Sequence, residues 1–67
     1  MSPKLKFCKE VSKARKQKAL TQEKAAECLS ISVRWFQQIE EGHKLPSGAL
    51  MLKFIIFFEI DSKNLKE

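Results

Sequence analysis

Residues 20–46, LTQEKAAECLSISVRWFQQIEEGHKLP, constrain this chain more than any other part of it. Thr21 stands where its hydroxyl can accept an unpaired amide hydrogen of a helix starting at Gln22, and Ser32 is placed likewise for a helix starting at Val33. Cys28, Leu29, Ser30 and Ile31 leave only three or four residues to end the first helix and begin the second, the connection length of a helix-turn-helix. Gly42 lies just past the last periodic residue, where a left-handed backbone costs little, and Pro46 prevents an early restart. The core of the pattern is therefore residues 21–41.

With 67 residues, the chain fits one domain with a small core, and chains this short often gain stability from a second subunit. Hydrophobic residues make up 43% and charged residues 31%, with two Gly and two Pro, which fits a folded helical domain and not a disordered tail. The formal net charge is +5, unevenly spread: residues 1–18 hold Lys4, Lys6, Lys9, Lys13, Arg15, Lys16 and Lys18 against Glu10 alone. Such a run suits a helix lying along phosphates, although a lysine-rich solvated face is the commoner origin of a charge run on its own. Cys8 and Cys28 form no CxxC pair and no signal-peptide pattern is present, so a reduced, cytoplasmic protein with both cysteines as small core residues is expected. The apolar run of residues 49–58 is too short for a membrane span and contains Lys53; it reads as a buried helix.

Helical spacing extends this to the whole chain. Ser2 and Pro3 open a first helix that runs to about Gln17, with Phe7, Val11 and Ala14 inward and Cys8 beside them. The second, about Gln22 to Cys28, buries Ala25, Ala26 and Leu29; the third, about Val33 to Glu40, turns Phe36 and Ile39 inward and Arg34, Gln37 and Gln38 outward. Ser47 can cap a fourth helix over about Gly48 to Phe58, and Asp61 a last helical turn through Leu65. The expected fold is an all-α, compact five-helix domain with a central helix-turn-helix and no strand.

These ordered elements, LTQEKAAECLSIS followed by VRWFQQIEEG with Arg15 six residues before Thr21, resemble the phage-repressor/Cro-like (XRE) helix-turn-helix family over nearly the whole chain. The resemblance implies a transcriptional regulator that places the helix of residues 33–40 in the major groove of double-stranded DNA. It also implies that Gln22 anchors the DNA backbone, that Lys44 touches phosphate, and that Arg15 pairs with Glu40 to hold the recognition helix.

The side chains on the outer face are the groups that read base edges: arginine donates twice to guanine, and a glutamine amide both donates to and accepts from adenine. Arg34, Gln37 and Gln38 would be ordinary solvated residues anywhere else; their place on the second helix of the pair makes them candidates for base contact. Val33 could touch a thymine methyl, or be an apolar residue left partly exposed. Trp35 is expected to pack beside the buried stripe. Gln22, at a helix N-terminus, and Ser32, a cap, are the candidate backbone contacts with Lys44. His43 reads as solvated.

The family's usual glycines are replaced by Ala19 and Ser30, which would strain the two connections. Residues 54–58, FIIFF, are apolar nearly all round, so Ile56, Phe57 and Ile60 should be partly exposed and form a homodimer interface suited to a palindromic operator, while Phe54 and Phe58 face inward. No catalytic or metal constellation stands out, so neither an enzyme nor a cofactor is expected. The rival expectation is a protein-interaction or antitoxin-like module that uses the helix of residues 48–58 to hold another protein.

Overall fold

The computed structural model describes residues 3–60 of the chain. Four helices follow one another, α1 Pro3–Gln17, α2 Gln22–Cys28, α3 Val33–Glu40 and α4 Gly48–Phe58, and no strand occurs among the described residues. The helix expected between Asp61 and Leu65 lies outside them, so the described fold is all-α with four helices and not five.

The inward face of each helix meets in one core. Phe7, Val11 and Ala14 come from α1, Ala25 and Ala26 from α2 with Leu29 just after it, Phe36 and Ile39 from α3, and Phe54 and Phe58 from α4. Phe54 is central: its ring lies 5.7 Å from Phe7, 6.0 Å from Phe36 and 5.9 Å from Phe58, separations at which aromatic rings attract one another. Ala25 and Ala26 keep α2 close to α3, because a methyl group leaves room for the neighbouring helix.

All four helices end in the same way. A residue with positive φ follows each one, namely Ala19 (57°), Ser30 (60°), Gly42 (86°) and Glu59 (55°). The amide of the next residue then reaches back five positions, Leu20 to Arg15 O at 3.2 Å, Ile31 to Ala26 O at 3.0 Å, His43 to Gln38 O at 2.9 Å and Ile60 to Ile55 O at 3.0 Å. This reversal satisfies carbonyls that a helix end leaves open and turns the following side chain back toward the helix. Leu20 and Ile31 pack against the core and Ile60 is part of it. Ala19 and Ser30 thus adopt the left-handed turn geometry and load it with a side chain.

Two expectations are corrected here. Ile60 is 7% exposed and not part of an outer patch, because the left-handed Glu59 swings it inward instead of continuing α4. Cys28 is exposed and not a core residue: Ala25, Ala26 and Leu29 define the inward face of α2, and Cys28 lies roughly 100° round from their mean direction. Cys8 is buried as expected, its thiol donating to Leu5 O at 3.2 Å, and both cysteines are free. Ser47 occupies the N-cap of α4 but makes no cap hydrogen bond, and the residue that follows, Gly48, has φ of 58°.

Candidate nucleic-acid interface

The two central caps form as their positions suggest. Thr21 Oγ1 accepts from Lys24 N at 3.0 Å and Ser32 Oγ from Trp35 N at 3.1 Å, which fixes the first turns of α2 and α3. From the second of those starts α3 sorts its residues by character. Phe36 and Ile39 are buried, Arg34 is exposed, and Gln37 and Gln38 are half-buried. Val33 and Trp35 are also half-buried and pack against the core, so Val33 offers only part of its surface outward. Ser32 and Lys44 are exposed, as is His43, whose Nε2 lies 3.7 Å from Glu41 Oε1.

Beneath α3 runs a polar chain that ties three helices together. Arg15 donates from Nε to Glu40 Oε1 at 2.7 Å and from Nη2 to Glu40 Oε2 at 3.1 Å, a two-pronged pair whose side chains are only 15% and 10% exposed. Its third donor, Nη1, reaches Leu20 O at 2.8 Å and so clasps the turn that leads into α2. The hydrogen bond to Glu40 raises the Arg15 pKa above its ordinary value against the opposing effect of burial, with Coulombic attraction adding, so the guanidinium keeps its charge at any ordinary pH. Gln22 Nε2 donates to Glu40 Oε2 at 3.2 Å, and Gln37 Nε2 donates to Gln22 Oε1 at 3.1 Å.

The pairing of Arg15 with Glu40 agrees with its expected structural role. Gln22 is also engaged within the protein, through one N–H of its amide to Glu40 and its oxygen to Gln37. Gln37 likewise has one end tied down. Neither bond has a sequence signature, since the partners, 15 and 18 positions apart, lie on different helices. Lys18, from the basic run, is also engaged, 3.4 Å from Glu59 Oε2 and 5.8 Å above the centre of the Phe57 ring.

A second surface lies on α4. Leu52 is 59% and Ile56 74% exposed, one turn apart on the same face, and Phe57 beside them is half-buried. Ile56, Phe57, Lys53, Cys28 and Leu29 line an open groove of about 300 Å³. The sequence reading missed Leu52, although its i, i+4 relation to Ile56 was there to find. No helix among the described residues is long and apolar enough to cross a membrane. No family model, curated protein or solved structure matches this chain.

Proposed function

We propose that the protein is a sequence-specific, non-enzymatic, double-stranded DNA-binding regulator of the repressor type, acting in the cytoplasm at the nucleoid. In this reading α3 enters the major groove, Arg34, Gln37 and Gln38 meet base edges with Val33 at the margin, and Gln22, Ser32 and Lys44 meet the backbone. The observation that carries it is the anchoring of α3: the helix is held from below by the Arg15–Glu40 pair while its Arg- and Gln-bearing face is left outward. A polar helix face presented this way on a rigid support is suited to reading an edge of hydrogen-bonding groups. Selection of fragments from random duplex DNA, followed by binding at several salt concentrations, tests it. Enrichment of a common site with affinity falling steeply as salt rises is the expected result; indifference to DNA at low salt sinks the reading.

The exposed Leu52 and Ile56 favour a partner on α4, which we take to be a second copy of the chain, giving two recognition helices for a palindromic operator. The same surface also suits the second reading, a protein-interaction or antitoxin-like module with a different chain in that place.

A further inference from the structure

The hydrogen-bond polarity beneath α3 is forced by chemistry. Glu40, paired with the guanidinium of Arg15, is a carboxylate and offers only acceptors. The part of Gln22 that meets Glu40 Oε2 at 3.2 Å must therefore be its NH2 group. That leaves the oxygen of Gln22 for Gln37, and only an NH2 group can meet it, as Gln37 Nε2 does at 3.1 Å. A solvated glutamine turns its amide freely and is equally ready to donate or accept. Gln37 has lost that freedom: one N–H of its nitrogen is tethered, which fixes the way the amide lies, and its Oε1 makes no hydrogen bond among the described residues.

We propose that Gln37 reads DNA with its amide oxygen as a fixed acceptor, with the chain Arg15–Glu40–Gln22 acting as the positioning device that sets its orientation. The inference rests on the DNA-binding reading above and adds a base preference to it. In the major groove, adenine presents the N6 amino group and cytosine the N4 amino group as donors, whereas guanine O6 and N7 and thymine O4 are acceptors. An amide oxygen held toward the groove thus selects adenine or cytosine on the strand it reaches and is repelled by guanine or thymine.

The test compares fragments selected from random duplex DNA by the unaltered protein, by Gln37→Met and by Gln22→Met, since methionine keeps the length of the side chain and removes its amide. The unaltered protein should prefer A or C over G or T about tenfold at one position of the half-site. Gln37→Met should flatten that position alone. Gln22→Met should admit all four bases there, because the freed Gln37 amide can turn either end to the groove, with the rest of the profile unchanged. An identical profile for Gln22→Met overturns the positioning role and leaves DNA binding standing; no salt-dependent binding by the unaltered protein overturns both. The side-chain amide protons of Gln37, followed by NMR without DNA, give an independent check that survives any loss of folding in the variants. In the unaltered protein one of the two should be shifted and slowed in exchange, and two free-amide signals there would overturn the tether.

Discussion

At Ala19, Ser30 and Glu59 a side chain occupies a backbone conformation that only glycine adopts without penalty, a cost of about 1–2 kcal/mol at each. The fold tolerates this because the reversal seats Leu20, Ile31 and Ile60 against the core. Ala19 and Ser30 are exposed, so their side chains contribute little packing in return. Ala19→Gly and Ser30→Gly should therefore each stabilise the protein by up to about 1 kcal/mol, once the greater freedom of glycine in the unfolded chain is subtracted. Gly42→Ala should do the opposite, since φ is 86° there and a Cβ would meet Leu5 Cδ2 at 3.2 Å and Cys8 Sγ at 3.4 Å. Thermal unfolding of the three variants decides it, and a lower melting temperature for both glycine variants would contradict the left-handed turns. Glu40→Ala carries a larger penalty, about 3 kcal/mol, because it strips both Arg15 and Gln22 of a sheltered partner at once. Replacing Arg15 and Glu40 together with apolar residues should cost less than either single change, and denaturant titration of the three variants measures the difference.

Among the elements, α3 concentrates the functional predictions. Arg34→Ala and Gln38→Ala should each weaken specific binding by about 1–3 kcal/mol and relax the preference at one base pair, whereas Lys44→Ala should weaken binding to all sequences alike. Binding profiles on a base-substituted operator set separate the two patterns, and identical profiles for all three variants would refute the assignment. The bounds of the four helices were legible in the sequence because their marks are local: Thr21 and Ser32 as caps, Gly42 as a stop, and apolar residues at helical spacing. What escaped depends on backbone sign or on distant partners. Periodicity does not record that Glu59 turns left-handed, and with that turn Ile60 moves from the outer surface to the core. The exposure of Cys28 follows from which three apolar residues win the inward face of a seven-residue helix. The Arg15–Glu40 pair was legible through the family resemblance, but the two glutamines joined to it were not, since each is equally at home on a solvated face.

For the whole molecule, size limits what one copy can read. The described body measures 29 × 21 × 20 Å and carries a single α3, the proposed recognition helix, whereas half-sites on one face of the duplex lie about 34 Å apart. On the proposed reading a palindromic operator requires a second copy, and we assign it to the exposed face of α4, where Leu52 and Ile56 stand one turn apart, 59% and 74% exposed, beside the groove floored by Leu29 and Phe57. Ile60 lies within the core, so the exposed apolar surface of α4 centres on Leu52 and Ile56 with Phe57 at its edge. Because Ile56 gives up little burial in the monomer, Ile56→Glu should leave the helical signal and melting temperature nearly unchanged while placing like charges across the pair of subunits. The expected product is a folded monomer. Its affinity for a single half-site should match that of the unaltered chain, and its affinity for the two-half-site operator should fall by two or more orders of magnitude, on the order of the gain that linked binding supplies. Sedimentation of both proteins at micromolar concentration, with titration onto one-site and two-site duplexes, reads both effects. An unaltered chain that sediments as a monomer and binds both duplexes equally would remove the homodimer and leave α4 as the seat of a different protein partner.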